Sequence, residues 1–218
     1  MTTVNPCAGR RIASGLAVLA VLILPTAGCI QFAALWANVS GGDIIEPEYT
    51  LTHGPLLIFI DDHDSLVTEP HALRQLHDTI SSIFLEYNVN RRVVPFENWQ
   101  TLQRSTKDYS RLSIREIGEK LGADQVLYLR VERFTLHEEP GAPLFQGEFA
   151  VRLKVLSTEA KRDVRLWPHD EKGKRVVATT DPTPSDSGKS AGDVAKELAT
   201  NLADAVSKLF YEHRELDK

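Results

Sequence analysis

Three kinds of hydrophobic spacing alternate along this chain, and each predicts its own element. Leu56-Leu57-Ile58-Phe59-Ile60 is an unbroken apolar run behind Gly54-Pro55. That is the pattern of a strand covered on both faces. Asp61 to Thr68 follows as a polar loop, with Thr68 placed to cap a helix that carries Pro70 in its first turn. Leu73, Leu76, Ile80, Ile83, Phe84 and Tyr87 then step by three, four, three, one and three, which puts them on one helical face. Arg91 to Pro95 predicts a short strand. Ser113-Ile114-Arg115-Glu116 has the spacing of a capping box, so a helix runs from there through Leu121 and ends at Gly122.

The period then changes to two. Asp124 to Phe134 sets Leu127, Leu129 and Val131 on one face. From Phe145 to Val155 the alternation is stricter: Phe145, Gly147, Phe149, Val151, Leu153 and Val155 face inward, while Gln146, Glu148, Arg152 and Lys154 face outward. This predicts a long antiparallel strand with one wet face. Val164 to Trp167 and Arg175 to Thr179 flank Asp170-Glu171-Lys172-Gly173, a hairpin signal. Residues 181–189 are rich in Pro, Ser and Gly and read as a linker. The last helix starts near Ser190, with Asp193 completing a cap and Val194, Leu198, Leu202, Ala205, Leu209 and Phe210 as its buried face. The order β-α-β-α-β-β-β-β-α, without internal repeat, predicts an α/β (α+β) fold: a mixed sheet of about five to six strands with helices mainly on one face.

The amino terminus carries a different signal. Arg10 and Arg11 precede Ile12 to Leu24, an apolar run without a charge, as in a secretory signal. Leu24-Pro25-Thr26-Ala27-Gly28-Cys29 comes next, and Ala27, Gly28 and Cys29 resemble the lipobox of bacterial lipoproteins. The resemblance implies cleavage before Cys29 and acylation of its thiol; each buried CH₂ then contributes ~0.8 kcal/mol of membrane affinity. An uncleaved anchor is the competing reading, because Ile12 to Trp36 is 25 residues long and could span a bilayer; Pro25, Gly28 and Gln31 interrupt it. On the lipoprotein reading, 1–28 is a signal peptide, 29–48 a lipidated tether and 49–215 a single α/β domain. Gln31, rather than Asp, stands two residues after Cys29, which in enteric-type sorting directs a lipoprotein to the outer rather than the inner membrane.

Composition narrows the function. Hydrophobic residues make up 42% of the 218 and charged residues 25%, with 25 basic against 30 acidic and a net charge of −5. Such a chain is neither disordered nor polytopic in a membrane. Its acidic balance argues against nucleic acid as a partner. Removing 28 residues leaves 190, of net charge −7, because Arg10 and Arg11 go and no acid does. Cys7 and the single Met depart with them, so Cys29 is the one remaining sulfur. Thiol catalysis and Cys-based metal sites are thereby excluded, and no disulfide is available to an exported domain that must rest on its core.

Local phrases carry a further resemblance. "IGEKLGADQVLYLRVERF" (117–134) and "FAVRLKVLSTEAKRDVRLW" (149–167) resemble small α/β domains of envelope lipoproteins. Such domains occur in curli-secretion channel lipoproteins, in activators of penicillin-binding proteins and in the amino-terminal domain of TolB. "IIEPEYTLTHGPLLIFID" (44–61) is similar to the start of lipoproteins from planctomycete-type bacteria. The resemblance covers roughly Tyr49 to Phe210 and rests on the order of the pattern. It implies a module that binds other envelope proteins, and it transfers no functional residue.

Three segments could carry chemistry. Gly188-Lys189-Ser190 precedes a helix as in a phosphate-binding loop, but the first Gly of that motif is replaced by Thr183, between Pro182 and Pro184. A linker ending in a Ser cap is the better reading, with no nucleotide. Asp61-Asp62-His63-Asp64, with His53, His71 and His77, gathers four of the seven His into 25 residues. Carboxylates and imidazoles there could hold a divalent metal for a hydrolase using the Asp61–His77 region. The plainer reading is a solvated turn, since His71 and His77 are six apart and do not share a helix face. Glu138-Glu139-Pro140-Gly141 is an adjacent acid pair in a loop, without the fixed separation an acid/base couple needs. The expectation is therefore a non-enzymatic envelope lipoprotein, held to a membrane by lipid on Cys29, with no cofactor, binding other envelope proteins or itself.

Overall fold

Alternation within the apolar run at 56–60 decides the layering of the molecule. A computed structural model describes residues 43–137, 144–159, 164–184 and 187–215. The signal segment, Cys29 and the Glu138–Gly141 loop lie outside them. Strand β2 (Leu56–Asp61) runs parallel to β3 (Gln125–Thr135), in register from Leu56 opposite Gln125 to Asp61 opposite Arg130. Leu56, Ile58 and Ile60 enter one core, while Leu57 and Phe59 enter another on the opposite face.

The rest of the sheet is antiparallel. Strand β3 pairs with β5 (Glu148–Ser157). Both β6 (Val164–Trp167) and β7 (Lys174–Thr179) then pair with β5, so the sheet is mixed and five-stranded. The predicted hairpin between these last two does not form. Strand β7 takes Glu148 to Leu153 and β6 takes Val155 to Ser157, end to end along one edge of β5. Asp170 to Gly173 is a loop thrown out from that edge, closed by the Arg165 guanidinium, which donates to the carbonyls of Asp170 and Glu171. Turn residues mark a change of direction; they do not choose between a hairpin and such an excursion.

The predicted strand from 145 is split. Leu144–Phe145 (β4) pairs with Thr183–Pro184 (β8), and β5 starts only after Gly147. Thr180 closes the gap: its amide donates to the Gly147 carbonyl and its hydroxyl accepts from the Gly147 amide.

Helices cover both faces, with the long ones together. Helix α1 (Ala72–Glu86) and helix α4 (Ala191–Ser207) pack against each other and the larger core, through Leu76, Ile80, Phe84, Leu198 and Leu202. Helix α1 begins after His71 without a side-chain cap, so Thr68 does not start it. Two shorter helices, α2 (Phe96–Ser105) and α3 (Ile114–Lys120), build the smaller core from Phe96, Trp99 and Ile117. Both predicted capping boxes are present, at Ser113/Glu116 and Ser190/Asp193, and Gly122 closes α3 with φ +69°. The predicted strand at 91–95 reduces to one bridge, Val93 to Leu56, after which Pro95 caps α2. The sequence pattern did not predict α2, because its inward stripe rests on Phe96, Trp99 and partly buried Leu102 alone.

Residues 46–213 form one compact unit. A second holds Asp43–Ile45 (β1) and, of the described residues, 214–215 at the end of β9 (His213–Glu215). No helix among the described residues is long and apolar enough to cross a membrane.

Candidate functional site

Strand β2 ends at Asp61, and the chain beyond it opens a cleft of about 850 Å³ inside the 46–213 unit. Ligand pockets are commonly of this size, and the carboxyl ends of parallel strands are where open α/β sheets place them. One wall is the first turn of α1, another is α2, and the segment Tyr109 to Ile117 closes the far side.

The floor is aromatic. Trp99 meets Phe59 edge-on with ring centres 5.7 Å apart, and meets Phe96 at 5.1 Å. Phe59 stacks on Tyr128 of β3 at 6.0 Å. The Trp99 indole N–H donates to the Tyr109 hydroxyl at 2.7 Å, so an indole that is nearly buried keeps its polar end satisfied. Burial pushes the Tyr109 hydroxyl above the ordinary phenol range; the Trp99 bond opposes this and the nearby negative charge of Asp61 adds to it.

The polar rim is largely committed to structure. Asp62 turns both carboxylate oxygens to the backbone, accepting from Leu66 N at 2.8 Å and Val67 N at 3.1 Å. That is the local capping habit of Asp in a loop. Asp61 accepts from the Tyr128 hydroxyl through Oδ2 at 2.6 Å. The Arg74 guanidinium pairs with Glu97 while its carbon lies 5.2 Å from the centre of the Phe96 ring. This bond holds the Glu97 carboxyl below its usual range.

The sequence pointed to this region for a metal, and the structure divides the residues it named. Asp61, Asp62, His63 and His71 line the cleft; His53, Asp64 and His77 do not. His77 is buried on α1, with Nε2 3.2 Å from the Val94 carbonyl and Nδ1 3.0 Å from Asp78. Among the described residues no three His, Cys, Asp or Glu side chains come together as a metal site. At 188–190 the Ser190 hydroxyl accepts from Asp193 N at 3.2 Å and Lys189 pairs with Glu197, so this segment begins α4. Sequence reading missed Phe96, Trp99, Tyr109 and Arg74. Three aromatics in fourteen residues were the available signal, on elements that the pattern had not predicted. Four aromatic side chains, Phe59, Phe96, Trp99 and Tyr109, and the carboxylates of Asp61 and Asp62 line the cleft.

No family model and no curated protein matches the chain. Solved structures that it resembles include a PelC dodecamer from Paraburkholderia phytofirmans, at 14% identity and a TM-score of 0.37, over 79% of this chain and 99% of that one. Another is lipoprotein GNA1162 from Neisseria meningitidis, at 11% identity and 0.42, over 72% and 99%. A third is the hypothetical protein CT253 from Chlamydia trachomatis, at 11% identity and 0.36, over 72% and 97%.

Proposed function

We propose that this chain is an envelope lipoprotein, anchored by acyl chains on Cys29, whose 46–213 unit serves as a non-enzymatic module for binding other envelope proteins or a second copy of itself. The observation that carries the reading is Ala27-Gly28-Cys29 two residues behind the uncharged run Ile12 to Leu24. It supplies export, a nucleophile for lipid transfer and a new amino terminus in one segment. Gln31 favours the outer membrane. The state of the cleft supports binding over catalysis: Asp62 spends both carboxylate oxygens on backbone amides, Asp61 accepts from Tyr128, and Trp99 donates to Tyr109.

The experiment is metabolic labelling with radioactive palmitate, followed by membrane fractionation. Wild type takes up label and sediments with membranes, and Cys29→Ala loses both. Equal labelling and membrane recovery of the two would overturn the anchor. Crosslinking in native membranes before pull-down tests the module; a chain recovered with neither a partner nor itself would overturn that part.

A further inference from the structure

We propose that the cleft at the end of β2 binds an organic cation, an alkylammonium or guanidinium group of the kind a basic side chain carries, held over its aromatic floor and against the carboxylate of Asp61. The inference concerns the cleft alone and does not depend on the lipid anchor.

Charge is the first ground. Asp61, Asp62 and Arg74 are the Asp, Glu, Lys or Arg residues that line the cleft, beside the imidazoles of His63 and His71, and Arg74 already has Glu97 as its partner. The wall is thus left acidic. Asp62 points its oxygens at the backbone, but Asp61 uses only Oδ2, on Tyr128, and has its other oxygen to offer. A cation there gains a charge-assisted hydrogen bond.

The second ground is the floor. Phe59, Phe96, Trp99 and Tyr109 line the cleft, and aromatic rings attract ammonium and guanidinium groups. The protein makes this contact once with its own residue, since Arg74 lies 5.2 Å over Phe96 at the rim. A neutral apolar ligand would use the floor and leave the Asp61 charge without a partner; an anion would meet it directly.

The test uses the full-length chain in detergent and isothermal titration calorimetry. The probes are acetylated, amidated Gly-Arg-Gly and Gly-Lys-Gly peptides, the isosteric citrulline peptide, and spermidine as a free amine. The Arg and Lys peptides bind about tenfold or more tightly than the citrulline peptide. Asp61→Asn keeps an acceptor for Tyr128 and weakens that binding by about the same factor, whereas Asp64→Asn, in the same loop but off the cleft, leaves it unchanged. Gln103→Lys, an exposed change at the rim that leaves the core alone, also weakens it. Spermidine binding with the peptides silent still supports the cation site and assigns it to a free amine. Citrulline peptide binding as tightly as Arg peptide would overturn the proposal. So would no binding of any cation, or unchanged binding in both Asp61→Asn and Gln103→Lys.

Discussion

Tyr128 donates its hydroxyl to Asp61 Oδ2 at 2.6 Å, joining β3 to the last residue of β2. The register explains the reach. Tyr128 stands opposite Phe59, and Asp61 is two residues farther along the same face. The ring stacks on Phe59 while the hydroxyl leans toward the carboxylate. Tyr128→Phe keeps the stacking and removes the bond to a charged group. Because the pair is only half-buried, the expected loss is about 1 kcal/mol, read as a lower urea midpoint with unchanged slope.

Three tyrosines give the protein an alkaline limit. Burial, then the Asp61 bond and charge, pushes the Tyr128 phenol well above its ordinary value. Burial, helped by Asp204, pushes Tyr211 up to about 12, and Tyr109 is raised as well. The unfolded chain releases these protons near pH ~10, and the folded chain does so later. Between the two the folded state binds more protons, so their stabilisation is complete below pH ~10 and is lost as pH rises through the folded values. Denaturant midpoints therefore fall above pH ~10, and Tyr128→Phe makes the fall shallower. Phenolate absorbance should rise later in the folded protein than in urea.

Much of this frame is legible in the sequence. Period two set Leu127, Leu129 and Val131 on one face, and the two capping boxes gave the starts of α3 and α4. Asp61 and Asp62 were named, yet their use was not, because what a carboxylate accepts depends on Tyr128, 67 residues away, and on how the loop returns to Leu66. Helix α2 was hidden for the opposite reason. Its ten residues bury mainly Phe96 and Trp99, too few points to define a period, and tertiary packing rather than propensity forms it. The cleft wall it supplies could not be read without it.

The capping boxes add an acid-sensitive contribution to stability. Ser190 donates through its amide at 3.0 Å and its hydroxyl at 2.7 Å to Asp193 Oδ2, and these bonds hold the Asp193 carboxyl below its usual range. Glu116 is lowered in the same way by the amide and hydroxyl of Ser113. A depressed carboxyl stabilises above its unfolded value, about 4, and the contribution disappears as pH falls through the folded one. Asp193→Asn is thus expected to be less stable than wild type at neutral pH, with the gap closing as pH drops below ~4. Ser190→Ala, which removes the cap's own acceptor for the Asp193 amide, costs about 1 kcal/mol. Urea titrations of the three chains across pH check both statements.

Two glycines separate backbone strain from crowding. At Gly122 the positive φ of +69° is the whole constraint, since a Cβ there meets nothing within 4 Å. Gly122→Ala should cost about 1 kcal/mol. At Gly147 a Cβ would stand 2.5 Å from Leu198 Cδ1 and 3.1 Å from the Thr135 carbonyl. Leu198 is fully buried on α4. Gly147→Ala is expected to cost about 2 kcal/mol by overpacking, and Leu198→Ala about 3 kcal/mol by leaving a cavity. Because the new methyl occupies part of that cavity, the double variant loses less than the two single losses together. Strict additivity in chemical denaturation would show that the break between β4 and β5 is not held by this contact.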